Sequence, residues 1–426
     1  MSRLILRNGR VIDPASRRNE IADVLVRDGL IAGVGRDLDA AGAEVFDATG
    51  LIVAPGFIDM HVHLREPGFE HAESIETGAR AAAAGGFTSV CCMPNTKPVN
   101  DSATVTSYIV ERARRYAVVN VFPIGAITKG SDGEQIAAIG SMKAAGVVAI
   151  SDDGRPVMNA RVMRRAMETA RSFDLPIIDH CEDLNLSAGG DMHEGVASAR
   201  LGLRGIPSAS EDVMVSRDIL LADLTGARFH VAHLSTRHAV AMVAFAKERG
   251  LNITCEVTPH HFALSDTQIQ PYDPNYKMKP PLRCCGDVEA VIGGIVSGAV
   301  DALATDHAPH AGSEKMQEFE RCPFGILGLE TAIGVTLDRL VHTGRISVER
   351  MIELYTAGPA RVLRLSRGTL AAGAIADITV LDLDCKWTYD VNRSASKSRN
   401  SPFDGVSFRG GPAATIVNGA FVWRRD

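Results

Sequence analysis

The chain has 426 residues, 46% hydrophobic and 23% charged, which leaves room for a barrel-sized core together with a smaller domain. Its 51 acidic residues outnumber its 45 lysines and arginines, giving a formal net charge of -6 at pH 7. This balance excludes a global basic field that would attract nucleic acid or an anionic membrane. An anionic ligand would therefore need a local group of cations.

The cysteines and the first residues indicate a reducing compartment. The chain has eight cysteines, and no two have the Cys-x-x-Cys spacing of a zinc ribbon or a thioredoxin-type motif. Residues 1–7 alternate like a strand and carry no apolar signal-peptide region. No apolar run approaches the roughly 20 residues that a bilayer crossing requires. We expect a cytoplasmic protein with neither a membrane nor a nucleic-acid partner.

Both ends of the chain are predicted to form β-structure. In residues 1–54, Asn8-Gly9 and Asp28-Gly29 are hairpin-type dipeptides beside apolar segments. Residues 366–426 have the same character, with Asn418-Gly419 between two apolar runs. Because chain termini often lie close together, we predict that the two ends pair into one small β-sandwich domain.

Residues 55–365 alternate between apolar, strand-like stretches and helical stretches. The strand candidates are 52–59, 87–92, 118–124, 147–151, 176–180, 228–233, 252–257 and 301–305. Eight β–α units over this length predict an α/β fold of the (β/α)8 TIM-barrel type. A doubly wound open sheet is the alternative, although no Gly-x-Gly-x-x-Gly turn supports it.

A pair of histidines closes the first strand. His61 and His63 are two residues apart, so in an extended chain their side chains share a face. Two imidazoles placed in this way can bind one zinc-like ion, whereas the alternative is an accidental pair with one ring in the core. The other strand ends decide between these readings, because functional residues of this barrel type lie at the carboxyl ends of strands.

Further metal-binding residue types follow the other predicted strands. They are Asp152 and Asp153 after the fourth strand, His180 after the fifth, His233 after the sixth, and Asp306 and His310 after the eighth. Four histidines and two carboxylates suffice for two metal ions bridged by a carboxylate and a hydroxide. Such a pair activates water and polarises a carbonyl oxygen. The residues therefore predict metal-assisted hydrolysis of an amide-like bond.

Six motifs together resemble the class I dihydroorotase family of the amidohydrolase superfamily. They are His61–Gly68, Met93–Thr96, Ser151–Gly154, Asp179–Glu182, Ala304–His310 and Cys322–Thr331. The resemblance extends from the end strands through all the barrel motifs. It implies a zinc-dependent enzyme that interconverts (S)-dihydroorotate and N-carbamoyl-L-aspartate in pyrimidine biosynthesis.

The resemblance also implies two Zn²⁺ ions per chain, bridged by a carboxylate and a hydroxide. The implied ligands are His61, His63 and Asp306 for one ion, His180 and His233 for the other, and Asp153 as the bridge. Sister families of the hydantoinase and allantoinase type use a carboxylated lysine as the bridge, and no lysine lies near the end of the fourth strand. Asp152 is the alternative to Asp153, and because adjacent strand residues face opposite ways, one of them points inward.

Catalytic and substrate-binding roles follow from the same resemblance. Asp306 is expected to act as general base and general acid, passing a proton to the leaving amide nitrogen. The implied substrate contacts are His63, Arg65, Asn95, Lys279, His310, Phe324 and Gly325. Arg65 supplies a planar cation for a carboxylate; the alternative for Arg65 is a surface salt bridge, and for Asn95 a turn. Lys279 departs from the family pattern, which usually has asparagine there, so a backbone contact would survive and a side-chain contact would not.

Two rival functions remain open from the sequence. One is hydrolysis of another cyclic amide, such as a dihydropyrimidine, a hydantoin or allantoin, and the other is a scaffold subunit for aspartate carbamoyltransferase. A homo-oligomer and a complex with that transcarbamoylase are further expectations, and zinc, cobalt or manganese could enter the site. Residues 311–322 are expected to form either a mobile lid or an exposed loop, and the serine-rich stretch Asn392–Asn400 an exposed loop.

Overall fold

A computed structural model describes residues 3–269 and 271–425. Its larger part is a barrel of eight strands in chain order: Phe57–Val62, Phe87–Cys92, Asn120–Gly125, Ala149–Ile150, Ile177–Asp179, Phe229–Val231, Ile253–Val257 and Ala302–Leu303. Neighbouring strands are parallel throughout, and a bridge between Val62 and His307 joins the last strand to the first. The predicted TIM-type barrel is confirmed, and the doubly wound alternative is wrong.

A helix follows each barrel strand: Ile75–Ala84, Ala103–Tyr116, Ile139–Ala145, Ala160–Ser172, Ala209–Thr225, Arg237–Glu248, Cys285–Ser297 and Val348–Tyr355. Shorter helices and turns are Lys129–Ser131, Val196–Leu201, Pro259–Ala263, Asp266–Gln268, Pro274–Tyr276, Gly312–Lys315, Ala332–Thr336, Leu337–Val341, Ala357–Leu363 and Val391–Arg393. Side-chain caps define some starts: Ser74 accepts from the Thr77 N–H, so that helix begins at Ile75. Within the described ranges, none of these helices has the length and apolar character needed to cross a membrane.

Buried apolar side chains fill the barrel and close its amino-terminal end. The rings of Phe57 and Tyr355 stack with centroids 5.3 Å apart, and Phe87 packs edge-on against Tyr355 at 5.6 Å. Val362 and Leu363 belong to the same buried cluster as apolar residues of the barrel strands. The helix that carries them lies at the strand starts, so the opposite rim is left for polar side chains.

The smaller domain is one eight-stranded, mainly antiparallel sheet from both chain ends. Its strands are Arg3–Asp13, Arg18–Arg27, Leu30–Gly35, Glu44–Asp47, Ile52–Pro55, Ile378–Thr388, Ser407–Val417 and Ala420–Arg424. Ile52–Pro55 pairs with Ile378–Thr388, which confirms that the two ends join. The limits 1–54, 55–365 and 366–426 stay a proposed division of the chain.

The predicted strand 52–59 is wrong as a single element. Ile52–Pro55 lies in the end sheet, and Phe57–Val62 begins the barrel. Gly56 separates them, and a Cβ there would lie 2.1 Å from Thr88 Oγ1. The chain passes between the two sheets at a point that admits no side chain, which a continuous apolar run does not reveal.

The expectation of an exposed loop at Asn392–Asn400 is also wrong in part. Every second side chain from Ser394 to Asn400 is buried against the barrel rim. Ser398 Oγ donates to Ala72 O at 2.7 Å, and Ser396 bonds the buried carboxylate of Glu73. The segment is polar because its partners on the rim are polar backbone and side-chain groups.

Candidate metal and substrate site

The six predicted metal ligands converge at the carboxyl ends of five barrel strands. They are His61 in the first strand and His63 just after it, Asp153 after the fourth, His180 after the fifth, His233 after the sixth and Asp306 after the eighth. All six side chains are buried. The parallel arrangement brings them to one rim although up to 245 positions separate them in sequence.

The histidines of the first strand face two carboxylates. His63 Nε2 lies 3.1 Å from Asp306 Oδ1 and 3.5 Å from Asp153 Oδ2. His61 Nε2 lies 3.4 Å from Asp153 Oδ1 and 3.5 Å from Asp306 Oδ1. Ligand atoms about 2.0–2.2 Å from a shared ion have separations of this order, so these four groups are suited to hold one.

Asp153 also lies beside the histidines of the fifth and sixth strands. His180 Nδ1 and His233 Nε2 are 2.8 Å apart, and each is 3.7 Å from Asp153 Oδ1. Of the two predicted carboxylate ligands, Asp153 is thus the one that lies within 3.7 Å of all four histidines.

Asp152 points away from this cluster. It accepts from the N–H groups of Ile127 at 2.8 Å and Thr128 at 3.2 Å, and from the Thr128 hydroxyl. These bonds join the loops that follow the third and fourth strands. Lys143, the lysine that precedes this strand, is exposed on the helix Ile139–Ala145, so it cannot serve as a carboxylated bridge.

The unpaired polar atoms of the cluster fit a bound cation. His61 Nε2 and Asp153 Oδ1 are buried and have no hydrogen-bond partner. Burial alone would lower the pKa of His61, but the charges of Asp153, Asp306 and Glu256 outweigh it and hold that pKa well above the usual value. The site attracts positive charge, and its nitrogen and oxygen donors suit zinc-like ions.

Two glutamates that sequence reasoning missed support the histidines. Glu256 Oε1 lies 2.7 Å from His61 Nδ1, and Glu182 Oε2 lies 2.9 Å from His180 Nε2. A carboxylate accepts, so each ring donates an N–H on that side and presents its other nitrogen to the cluster. Glu256 stands out in the sequence as a charge within the apolar strand Ile253–Val257, which is the signal that could have found it.

Three site residues have left-handed backbone conformations. The φ angles of Arg65, His233 and Asp306 are +59°, +31° and +47°. Non-glycine residues adopt such angles rarely, and they concentrate at functional sites where surrounding contacts hold them. At each position the chain turns sharply out of a barrel strand, which aims the side chain at the rim.

Arg65 and His310 form a polar pair beside the cluster. Arg65 Nε donates to Pro309 O at 3.0 Å, and its NH2 group lies 3.3 Å from His310 Nε2. Burial and the charge of Arg65 lower the pKa of His310 to about 3, so the imidazole is neutral at pH 7. Arg65 thus keeps guanidinium donors for an anionic ligand, and the surface salt bridge with Glu66 is not formed.

The backbone of Phe324 and Gly325 lies against this pair. Phe324 O is 2.8 Å from His310 Nε2. Gly325 has φ +134°, and a Cβ there would lie 2.7 Å from Ala308 Cβ, so the close approach needs glycine. Asn400, another residue that sequence reasoning missed, links the segment around His310 to Gly325. It accepts from the His310 N–H and donates to Ala308 O and Gly325 O.

Asn95 and Lys279 have side-chain partners inside the site. Asn95 Oδ1 lies 2.9 Å from His63 Nδ1, so Asn95 orients a predicted ligand and is not a simple turn residue. Lys279 Nζ lies 2.7 Å from Glu182 Oε1. Lys279 therefore has a side-chain role that its departure from the family pattern did not suggest.

The segment 311–322 is anchored and partly buried. Lys315 is buried and donates to Pro274 O at 2.8 Å, Lys277 O at 3.2 Å and Pro323 O at 2.8 Å. Phe319 is also buried. The segment is more than an exposed loop, because Lys315 anchors it to Pro323, the residue before Phe324.

A closed (β/α)8 barrel with histidines and carboxylates gathered on its carboxyl rim defines a metal-dependent hydrolase of the amidohydrolase class. A family model described as "Dihydro-orotase-like" matches residues 50–239, and one described as "Amidohydrolase family" matches residues 298–423. The dihydroorotase of Solibacter usitatus is 71% identical over 99% of this chain and 98% of its own. That of Pelotomaculum thermopropionicum is 53% identical over 99% and 98%.

Solved structures agree on the class. The L-hydantoinase (dihydropyrimidinase) of Arthrobacter aurescens is similar with a TM-score of 0.90 at 26% identity, covering 100% of this chain and 96% of that one. The D-hydantoinase (dihydropyrimidinase) of a Thermus species has a TM-score of 0.84 at 25% identity, covering 99% and 95%. Within this class, the chain belongs to the dihydroorotase family.

Proposed function

We propose that this chain catalyses the reversible hydrolysis of (S)-dihydroorotate to N-carbamoyl-L-aspartate in pyrimidine biosynthesis. The observation that carries the proposal is the pairing of Arg65 with the neutral His310, 3.3 Å apart, beside the buried histidine–aspartate cluster. Dihydroorotate combines a cyclic amide with a carboxylate, and this site offers groups for both. The family membership supports the same reaction.

The residues that would hold two Zn²⁺ ions are His61, His63, Asp153, His180, His233 and Asp306, and Asp153 would be the shared ligand because it lies near all four histidines. When bound, such ions supply an activated water and polarise the carbonyl that is attacked. Glu256 and Glu182 hold His61 and His180 in the tautomer that presents a lone pair to the cluster.

Asp306 is the proposed general base and general acid. Its Oδ1 lies 3.1 Å from His63 Nε2, inside the cluster of proposed ligands. The pair formed by Arg65 and His310 lies beside this cluster. In ring opening, the attacking oxygen forms a bond to the carbonyl carbon, and Asp306 accepts the proton that the water releases. It then delivers this proton to the ring nitrogen as the carbon–nitrogen bond breaks, so that the nitrogen leaves as the neutral NH2 of the carbamoyl group. Ring closure runs the same transfers in reverse.

Arg65, His310 and Asn95 are the proposed clamp for the substrate carboxylate. The Arg65 guanidinium provides a planar fork with charge, and His310 and Asn95 provide neutral polar groups that orient it. The backbone of Phe324 and Gly325 would contact the ring edge. Dihydrouracil, hydantoin and allantoin lack a ring carboxylate, so this clamp favours dihydroorotate over the substrates of the rival cyclic-amide hydrolases.

The test compares turnover of dihydroorotate, dihydrouracil, hydantoin and allantoin by protein with quantified metal content. We expect a preference for dihydroorotate with about two metal ions per chain. In Arg65→Met, kcat/KM for dihydroorotate should fall roughly 10–100-fold, because a charge-assisted bond worth about 1.5–3 kcal/mol is lost. Turnover of the other cyclic amides should not fall in parallel. Full metal loading without turnover of dihydroorotate would overturn the proposal and leave hydrolysis of another cyclic amide, or the transcarbamoylase scaffold, as the alternatives.

We also propose a cytoplasmic location and assembly into an oligomer. All eight cysteines are free, as in proteins of a reducing compartment. Leu220, Leu224 and Phe245 are each more than half exposed on two neighbouring helices, which supports a homo-oligomer or a complex with aspartate carbamoyltransferase. Sedimentation of the chain alone and with the transcarbamoylase tests both arrangements, and a monomer in each mixture would contradict them.

A further inference from the structure

Lys279 belongs to a chain of polar contacts that ends on a proposed metal ligand. Its Nζ lies 2.7 Å from Glu182 Oε1, and the second oxygen of Glu182 lies 2.9 Å from His180 Nε2. The opposite nitrogen of His180, Nδ1, faces His233 at 2.8 Å and Asp153 at 3.7 Å. The lysine is therefore linked to the cluster through a single carboxylate and a single imidazole.

The burial of Glu182 explains why a cation is needed there. Its side chain is 7% exposed, whereas that of Lys279 is 26% exposed. A carboxylate removed from water to this degree is costly unless it is paired and hydrogen-bonded. Within residues 3–269 and 271–425, Lys279 is the one lysine or arginine in ion-pair contact with Glu182.

The surroundings of the Lys279 ammonium favour its contact with Glu182. Besides Glu182, it lies 5.0 Å from the centroid of the Phe324 ring, an aromatic face that attracts a cation. In the proposed function, Arg65 is the cation for the substrate carboxylate. Arg65 contacts His310, which in turn contacts Phe324 O. An asparagine at position 279 would be too short and uncharged to neutralise Glu182.

We propose that Lys279 is a positioning residue, which holds Glu182 against His180 and thereby fixes the His180 ring for metal binding. The inference rests on the proposed metal-dependent function and replaces a direct side-chain contact with the substrate. If Glu182 were free to rotate toward water, the His180 N–H would lose its acceptor, and the ring would lose its orientation and tautomer. The effect falls on the His180–His233 half of the cluster.

The experiment measures metal retention, which needs no substrate. Purified holoenzyme and the variants Lys279→Met, Lys279→Arg and Glu182→Gln/Lys279→Met are dialysed against a chelator, and zinc per chain is followed with time. In Lys279→Met, we expect one of the two ions to be held roughly 10–100-fold more weakly, as is typical when a partner behind a ligating histidine is disturbed. Lys279→Arg should retain both ions because it keeps the charge. The double variant should hold the ion no more weakly than Lys279→Met alone, because Lys279 acts through Glu182 and the two losses are then not additive.

A matched control separates this effect from general loss of an ion pair. Lys247 pairs with Asp301 at 2.7 Å, with side-chain exposures of 24% and 10%, close to those of Lys279 and Glu182. That pair lies at the start of the eighth strand, at the opposite end of the barrel. Lys247→Met should keep both ions, and thermal unfolding of every variant verifies that it is folded.

The kinetic constants for dihydroorotate distinguish the two roles of Lys279. A positioning role predicts a lower kcat at limiting zinc, restored by added zinc, with KM near the wild-type value. Unchanged zinc retention with a raised KM would overturn the inference and make Lys279 a substrate contact. If the wild-type protein holds two ions but does not turn over dihydroorotate, the proposed function fails, and the zinc-retention result still decides the role of Lys279.

Discussion

The two glutamates that contact the proposed metal ligands, Glu256 and Glu182, lie in different surroundings. Glu256 is fully buried within a barrel strand, where it is 2.7 Å from His61 Nδ1 and 3.3 Å from His230 Nε2. Glu182 follows a strand at the rim and pairs with the partly exposed Lys279. The inner carboxylate contacts two buried histidines in the core, and the outer one pairs with a partly exposed lysine at the rim. We call the Glu256–His61 contact the inner half of the site and the Glu182–His180 contact the outer half, and we expect a change in the inner half to cost the fold more stability.

The largest effect on kcat should come from substituting Asp306, the proposed general base and general acid. Asp306→Asn keeps the shape of the side chain but removes a base, so kcat should fall roughly 10²–10⁴-fold. Steady-state kinetics with metal content measured on the same samples checks this. Asp183→Asn, at a carboxylate that caps a loop just beyond the outer half, serves as the control for loss of charge. Activity above a tenth of the wild-type value at full metal loading would show that Asp306 is not the proton carrier.

Substituting each glutamate in turn separates the two halves directly. Both Glu256→Gln and Glu182→Gln should weaken metal binding roughly 10–100-fold, because each removes a charged partner of a ligating histidine. Glu256→Gln should in addition lower the free energy of unfolding by about 3–5 kcal/mol, since it breaks a fully buried charged network.

The basis for that stability difference is electrostatic. Burial raises the pKa of Glu256, but the charges and hydrogen bonds of His61 and His230 outweigh it and bring the pKa to about 2. Metal-free unfolding in denaturant, compared for the two variants, measures the difference. Equal losses of stability would mean that the inner and outer carboxylates are equivalent, and the distinction drawn above would be wrong.

The buried Lys315, in the segment 311–322, offers a smaller test, which depends on pH. Burial lowers the pKa of Lys315 to about 8 from its ordinary 10.5. Between these values the unfolded chain holds a proton that the folded chain has released, so the folded state gains stability as the pH rises through this window. Below pH 8 this gain is absent. The full change is up to about 3 kcal/mol.

Chemical unfolding at a series of pH values, for wild type and Lys315→Met, isolates this contribution as a difference between two curves. The wild-type free energy of unfolding should rise relative to the variant from about pH 8 to 10.5. Lys129→Met, at an exposed lysine, controls for loss of a charge. A constant difference across the window would show that Lys315 titrates at its ordinary pKa.

Much of the candidate site could be predicted because its residues are local to strand ends. His61, His63 and Arg65 lie at and just beyond the end of one strand, and Asp153, His180, His233 and Asp306 each follow an apolar run that reads as a strand. Parallel strands in a barrel necessarily bring such ends together. The choice of Asp153 over Asp152 came from the family pattern, and the hydrogen bonds of Asp152 supply the physical reason.

The partners of those residues could not be predicted, because they are distant in sequence and ordinary in type. Glu256 meets His61 across the barrel, Lys279 meets Glu182 from a separate loop, and Asn400 reaches the rim from the smaller domain. Ser394 to Asn400 do show a period of two, but a polar alternation predicts no particular surface to pack against.

The sequence by itself determined the fold class, the joining of the two ends, the family and the residues that we propose as metal ligands. These depend on hydrophobic periodicity and on local spacing, which a chain carries wherever it folds. Tertiary structure alone decided where the end sheet stops at Gly56, which carboxylate backs each histidine, and that Lys279 serves Glu182. Those outcomes depend on burial, since a charge taken out of water must find its partner among whatever groups the fold places beside it.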